Sequence, residues 1–153
     1  MGIWYMMCFN WLKSKLCREY TSHPNFLEDI SGSEVLTILK AEFPDATIIV
    51  SDLEYRTTTK EELKRFLKED LTDKNRWVKE FYDCENFAFQ LMGNISSPNW
   101  GTLSFGILLG KKNGNDHTIN CFVDNDREVY LIEPQSDEIY KMSDVWNVII
   151  ILM

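Results

Sequence analysis

The sequence predicts an α+β fold in which N-terminal helices pack on an antiparallel sheet. Residues up to about 95 carry helix-type apolar spacing and helix caps, whereas residues after about 100 form short β-rich runs separated by turns. Helices followed by hairpin-connected strands are typical of this class. With 153 residues, 44% of them hydrophobic, the chain is expected to form one domain, 1–153. We divide it into a helical part, 1–76, and a part with a cysteine-led helix and antiparallel strands, 77–153.

The first part is predicted to contain helix 3–20, helix 33–42, strand 46–53 and helix 60–69. Pro24 and Pro44 are expected to end the first two helices, because a proline disfavours helical backbone in the residue before it. The β-branched residues at 47–50 favour a strand. Thr59 and Glu62 have the spacing of a capping box, which marks the start of the third helix.

The second part begins with a helix whose N-cap is Asp83 and whose first residue is Cys84. Gly93 and Asn94 are expected to end it. The strands that follow are predicted at about 102–109, 117–123 and 128–134, and the tail 145–153 is a last strand or a buried edge.

Charge and cysteine content narrow the class of protein. The formal charge of −8 argues against a nucleic-acid partner, because proteins that bind nucleic acids usually carry a basic patch. The four cysteines form no CxxC pair and the chain has only two histidines, so we predict no metal site and no cofactor. Cysteines without a disulfide-like pattern suit a reducing, cytoplasmic location.

The apolar, aromatic segment 3–16 has two interpretations. It lacks the charged start and long apolar run of a signal peptide, and its polar residues interrupt the roughly 20 apolar residues that a spanning helix needs. It is therefore expected to be a helix packed on the domain. The alternative is a helix that docks on a membrane surface or a partner.

Cys84, His117 and Glu133 are the candidate catalytic residues, in the chain order cysteine, histidine, acid. A helix N-terminus and a nearby imidazolium both favour a thiolate. In this interpretation Cys84 is the nucleophile, His117 is the general base and acid, and Glu133 or Gln135 orients the ring. A small buried hydrophobe remains the alternative for Cys84, and a turn residue for His117.

Strand parity supports grouping these residues. Side chains alternate between the faces of a strand, so His117 lies on the mainly apolar face of its strand, and Glu133 and Gln135 lie on the corresponding face of the next one. A three-residue turn at 125–127 would pair His117 with Gln135 and cluster the three side chains. A two-residue turn would place His117 opposite Pro134. The apolar pattern favours the first register. A helix on that apolar face would bring Cys84 to the imidazole.

Three further residues are candidates for contacts to a substrate, namely Trp77, Asn120 and Trp100. The two tryptophans would line a cleft, although aromatic residues near a site more often belong to the core. Asn120 is also a weaker candidate for orienting the imidazole, because a residue three positions along a strand faces the other way.

Three blocks of the sequence, residues 83–88, 116–120 and 130–135, resemble the transglutaminase-like branch of the papain-like cysteine protease superfamily. The resemblance covers about residues 77–140 and implies a papain/transglutaminase-like core, with a small phage or bacterial protein as one possible source. Glu133 stands where the family usually has Asp, and Ile119 where it often has an aromatic residue. No upstream glutamine is identifiable as an oxyanion donor.

Three functions follow. The first is a thiol-dependent hydrolase or acyltransferase that acts on an amide or thioester of a protein or peptide-like substrate. The second is a catalytically idle binding module on the same fold, for example a phage-type protein that binds a host partner or ligand. The third is a protein that docks on membranes or partners through residues 3–16.

Overall fold

The computed structural model describes residues 23–143 and 145–153, which form two sheets and three α-helices. The helices are α1 (Gly32–Glu42), α2 (Lys60–Glu69) and α3 (Cys84–Ile95), with a 3-10 turn at Thr72–Lys74. The strands are β1 (Glu28–Ser31), β2 (Thr47–Ile49), β3 (Glu54–Thr57), β4 (Phe105–Lys112), β5 (Asn115–Val123), β6 (Val129–Glu133), β7 (Glu138–Tyr140) and β8 (Trp146–Leu152).

The larger sheet has six strands in the order β2-β8-β4-β5-β6-β7, and β1 and β3 form a separate antiparallel pair. All neighbours in the larger sheet are antiparallel except β2 and β8, which run parallel, with Ile48 opposite Ile151. The sheet is therefore mixed. Its parallel pair joins segments that lie about a hundred residues apart in the chain.

Two turns set the registers of the central hairpins. Asn113 and Gly114 both have positive φ, 53° and 80°, which matches the two-residue turn that suits the twist of a hairpin. The β5–β6 connection is the three-residue turn predicted from the sequence. Val123 pairs with Val129, and the N–H of Asp124 donates to the carbonyl of Glu128 at 3.0 Å. Arg127 adopts φ 64°, which provides the left-handed residue of this turn.

Each face of the six-stranded sheet carries its own core. On one face α1 packs against β5, β6 and β8 through Val35, Leu39, Ile119, Cys121, Leu131 and Ile151. On the other face α2 and α3 pack against β4, β5 and β6 through Leu63, Phe66, Leu91, Phe105, Phe122 and Ile132. The sheet is thus a middle layer, with helices on both sides.

The predicted helices within the described residues are confirmed. α1 begins after Ser31, whose hydroxyl accepts from the N–H of Glu34, and α2 begins after Thr59, which caps the N–H of Glu62. α3 begins at Cys84 as predicted, but it continues through Gly93 to Ile95. The predicted helix 3–20 lies outside the described residues. In the described part of the chain, none of the helices has the length and apolar character needed to cross a membrane.

The predicted antiparallel sheet and helical first part both need correction. The described part of residues 1–76 holds three strands as well as two helices, and β1, β3 and β7 were not predicted as separate strands. β1 and β3 mix charged and apolar residues over only four positions each, too short for a clear alternation. The mixed sheet arises because the predicted strand 46–53 pairs with the C-terminal strand, which sequence spacing alone does not indicate.

Candidate functional site

Cys84 is the first residue of α3, where the sequence places it. The N–H of Asp83 donates to the side-chain oxygen of Asn86 at 3.1 Å, which closes the first turn of the helix. The N–H of Phe87 donates to the carbonyl of Asp83, so the helix begins directly at the cysteine. The thiol is half-buried, and its sulfur lies 3.5 Å from a carboxylate oxygen of Glu85.

Burial raises the pKa of the Cys84 thiol above its ordinary value. The carboxylates of Glu85 and Asp83 act in the same direction, because a thiolate would be repelled by them. The backbone N–H of Thr118 opposes this effect by hydrogen bonding to the sulfur. The sequence predicted the opposite shift from the helix N-terminus, and burial, the largest cause, together with the two carboxylates explains the difference. A raised pKa keeps the thiol protonated at neutral pH.

His117, Glu133 and Gln135 come together as parity predicted. A ring nitrogen of His117, Nε2, lies 2.7 Å from Oε2 of Glu133, and Nε2 of Gln135 donates to Oε1 of the same carboxylate at 3.4 Å. His117 and Glu133 expose only 18% and 13% of their side chains. The imidazole also stacks on Trp146, with ring centroids 5.7 Å apart. The imidazole is therefore held at its edge by Glu133 and on one face by the ring of Trp146.

The predicted approach of the cysteine helix to His117 is wrong. His117 and Glu133 lie on the sheet face that α1 covers, whereas α3 packs on the opposite face through Asn120, whose amide donates to the carbonyl of Ala88 at 3.1 Å. Cys84 contacts the strand at Thr118, one residue from the imidazole. Among the residues that the structure describes, no hydrogen bond joins the sulfur of Cys84 to His117.

Asn120 and Trp100, two of the predicted substrate contacts, are fully buried. The amide of Asn120 donates to the carbonyls of Ala88 and Gly106, so it ties α3 to β4. Trp100 packs against Phe66 with ring centroids 4.9 Å apart. Burial excludes both from direct contact with a ligand in this conformation, which corrects these two predictions.

Trp77, the third predicted contact, is 50% exposed in a turn directly before α3. The turn is closed by two hydrogen bonds between Val78 and Tyr82, one in each direction, and Glu80 adopts φ 63° within it. Phe81, at its tip, is 83% exposed. Phe81 was not predicted as a site residue from the sequence, although a phenylalanine next to the charged residues of a turn is a usable signal of an exposed ring.

Acidic side chains gather at two places in the described part of the chain, and the first has the spacing of potential metal ligands. One ligand atom each from Asp83, Cys84 and Glu85 lies within 4.8 Å of the others. Consecutive residues at a helix start reach this spacing without a metal, so the grouping is not diagnostic. Near the 3-10 turn, the pKa of Asp137 is raised to about 6, mainly by burial and then by the charges of Asp73 and Asp70.

Residues 34–152 match the family described as the ricin-type beta-trefoil lectin C-terminal domain. The match covers more than three quarters of the chain, and the protein therefore belongs to this family. None of the curated proteins matches the chain.

Two solved structures share the fold. The structure titled PSL1a-E64 complex has a TM-score of 0.72 and 22% identity, covering 82% of this chain and 51% of its own. Polyporus squamosus lectin, bound to the human-type influenza-binding epitope Neu5Aca2-6Galb1-4GlcNAc, has a TM-score of 0.70 and 23% identity, covering 82% of this chain and 49% of its own. The chain thus spans about half the length of these two matched chains.

These matches correct the expected family, fold and function. The resemblance to papain-like cysteine proteases, with its papain/transglutaminase-like core, is replaced by membership of a lectin-domain family and a fold shared with lectin chains. The predicted function of a thiol-dependent hydrolase or acyltransferase, which depended on that resemblance, is therefore also wrong. The blocks around Cys84, His117 and Glu133 are short, and blocks of that length do not distinguish families when the family match extends over residues 34–152.

Proposed function

We propose that this domain is a binding module of a glycan-binding protein. Its ligand would lie at the helix-entry surface, which we define as Trp77, Phe81 and the first residues of α3 from Cys84. The exposed aromatic turn is the observation that carries the proposal, because Trp77, Val78 and Phe81 are 50%, 42% and 83% exposed within five residues, and grouped exposed apolar side chains mark binding sites. Membership of a lectin-domain family supports it.

The chemistry of the surface suits a sugar. Pyranose rings have apolar C–H faces that pack on aromatic rings, and hydroxyl groups that pair with carboxylates and amides. Trp77 and Phe81 would supply the rings. Glu85, exposed in the first turn of α3, would supply an acceptor, and the Thr118 N–H at Cys84 connects this surface to the start of β5.

The turn is held rigidly enough to present its rings. Tyr82 hydrogen bonds to Gln90 of α3, and its ring packs edge-on against Phe87 with centroids 4.7 Å apart. Asn75 donates to the Tyr82 hydroxyl at 3.1 Å. A pre-ordered turn loses less conformational entropy on binding than a free loop does.

The His117–Glu133–Gln135 cluster has a supporting part in this proposal. It lies next to Thr118 along β5, so it would fix the strand end against which Cys84 and the ligand rest. The sialylated trisaccharide bound by the Polyporus squamosus lectin indicates the ligand class to test first.

The test is binding of Neu5Aca2-6Galb1-4GlcNAc to the whole chain by calorimetry, followed by a glycan array. We expect Trp77→Ala and Phe81→Ala each to weaken binding by at least about tenfold, in line with the loss of a buried aromatic contact. Phe89→Ala is the matched control, since Phe89 is a 54% exposed aromatic on α3 outside the turn. Circular dichroism confirms that each variant is folded. Absence of binding to any arrayed glycan, or an equal loss with Phe89→Ala, would overturn the proposal.

A further inference from the structure

β2 is an open edge of the six-stranded sheet. It stands at the end of the strand order, and β8 is its one neighbour among the strands that the structure describes. The carbonyl of Ile49 accepts from the N–H of Met153 at 2.9 Å, and the N–H of Ser51 donates to the carbonyl of Met153 at 3.2 Å. The backbone groups of Ile48 and Val50 therefore point away from β8, because successive residues of a strand direct their backbone groups to opposite sides.

The sheet face beside this edge is apolar and exposed. Ile49 lies opposite Leu152, and Thr47 lies opposite Ile150. Ile151 is fully buried in the core that includes α1, so Ile150 and Leu152 project from the other face of the sheet. Ile49, Ile150 and Leu152 are 51%, 36% and 40% exposed. Exposed aliphatic side chains next to an unpaired strand mark a contact site.

The backbone of this edge fits a second copy of the same chain. When two β2 strands run antiparallel about a two-fold axis at Ile49, Ile48 of each copy exchanges backbone hydrogen bonds with Val50 of the other copy. The outward donors and acceptors of these two residues are then paired. Ile49 meets its own counterpart in a non-hydrogen-bonded pair, in which the Cα atoms are about 4.5 Å apart and the side chains are in contact.

The same two-fold axis joins the two apolar faces. Leu152 and Ile49 of one copy continue into Ile49 and Leu152 of the other, so the aliphatic side chains form one row across both sheets. An unrelated peptide strand would need its own matching row, and a lipid surface would leave the outward backbone groups unpaired. Residues 46–50 contain no proline and no charged residue, the devices with which natural edge strands prevent such pairing.

We infer that this protein forms a two-fold homodimer in which β2 pairs with β2 of a second copy and Ile49 lies at the axis. The two sheets become one continuous sheet, which is stabilised by backbone pairing and by apolar surface removed from water. Since β2 spans three residues, we expect a dissociation constant in the micromolar range. The helix-entry surface lies at α3 and the start of β5, away from β2, and the dimer does not depend on the glycan proposal.

Sedimentation velocity of the whole chain from about 1 to 200 µM tests the inference. We expect a reversible equilibrium between monomer and dimer. Ile49→Lys places two like charges directly opposite each other at the axis and should weaken the dimer by at least about tenfold. Leu36→Lys is the matched control, because Leu36 is a 37% exposed aliphatic residue on α1, and it should leave the dissociation constant unchanged. A monomer over the whole concentration range, or equal weakening by both variants, would refute the inference.

A disulfide test locates the axis even if the charged variant fails to fold. Serine replaces the native cysteines other than the fully buried Cys121, at positions 8, 17 and 84. In that background, mild oxidation of Ile49→Cys should give a covalent dimer, because side chains in a non-hydrogen-bonded antiparallel pair are close enough for a disulfide. Leu36→Cys should stay uncrosslinked on non-reducing gels. A dimer in sedimentation that does not cross-link at position 49 would place the contact elsewhere and refute the inference.

Discussion

Nε2 of His117 and Oε2 of Glu133 lie 2.7 Å apart, on neighbouring strands of the same sheet face. The contact follows from the register that places Val123 opposite Val129, because continuing that pairing sets position 117 opposite 135 and places Glu133 diagonally beside the histidine. The three-residue turn between β5 and β6 therefore determines whether this pair forms.

The first prediction concerns the coupling between these two side chains. We expect a double-mutant cycle of His117→Ala and Glu133→Ala to give a coupling energy of about 1–2 kcal/mol, because the contact is largely shielded from water. Urea unfolding of the four proteins measures it. Glu138→Ala on β7 is the control, and its exposed side chain should couple to His117 by less than about 0.5 kcal/mol. A cycle that closes to zero would show that the pair contributes no mutual stabilisation.

The second prediction concerns the reactivity of Cys84. Since burial and the Glu85 and Asp83 carboxylates raise the thiol pKa, alkylation by iodoacetamide should be slow at pH 7 and should rise at a higher pH than for a free thiol, whose pKa is about 8.5. Mass spectrometry resolves the rate at each cysteine. Cys121 is an internal reference, because complete burial raises its pKa to about 12 and it should stay unmodified in the folded protein. A fast reaction of Cys84 below pH 7 that is lost in His117→Ala would contradict this expectation.

The third prediction concerns the pH dependence of stability through Asp137. Its folded-state pKa of about 6 lies above the unfolded value of about 3.9, so the native state holds the proton more tightly. The resulting stabilisation is fully present below about pH 4 and is lost as the pH rises through about 6.

The variant Asp137→Asn removes this titration and tolerates the positive φ of 60° at that position. We expect it to be more stable than the parent by about 1 kcal/mol at pH 8, after allowance for partial exposure, and equal to it near pH 4. Urea unfolding at the two pH values provides the comparison, with exposed Asp45→Asn as the control. An identical difference at both pH values would rule out a titration effect.

The fourth prediction concerns the buried amide of Asn120. Its replacement in Asn120→Ala removes the side-chain hydrogen bonds to the carbonyls of Ala88 and Gly106 and opens a small cavity, so we expect a loss of about 2–3 kcal/mol. Asn115→Ala, on the exposed start of β5, should cost less than about 0.5 kcal/mol. Chemical denaturation measures both. A loss for Asn120→Ala as small as that of the control would mean that α3 does not depend on this contact.

Several elements could be predicted because local chemistry decides them. Thr59 caps α2 and Asp83 begins α3 through contacts within three residues. The β5–β6 register could also be predicted, since shifting a strand by one residue would expose its apolar side chains. That register places His117 beside Glu133, so the contact between these two side chains could be predicted from the sequence.

The placement of Cys84 relative to that cluster was not predictable in the same way. The sequence shows that α3 is amphipathic, but both faces of the sheet are apolar and either could receive the helix. Asn120, directed toward α3, selects the face opposite His117. The pairing of β2 with β8 could not be predicted either, because the two strands are remote in the chain and local patterns do not show which strands become neighbours.

The sequence by itself determined the starts of α2 and α3, the turn between β5 and β6 and the face on which each residue of these two strands lies, because these depend on backbone preferences and on the alternation of side chains. Only the tertiary structure decided which face each helix covers, which strands become neighbours and in which direction burial moves the pKa of Cys84. Those outcomes depend on packing between segments that are distant in the chain, and on the water that such packing excludes from each polar group.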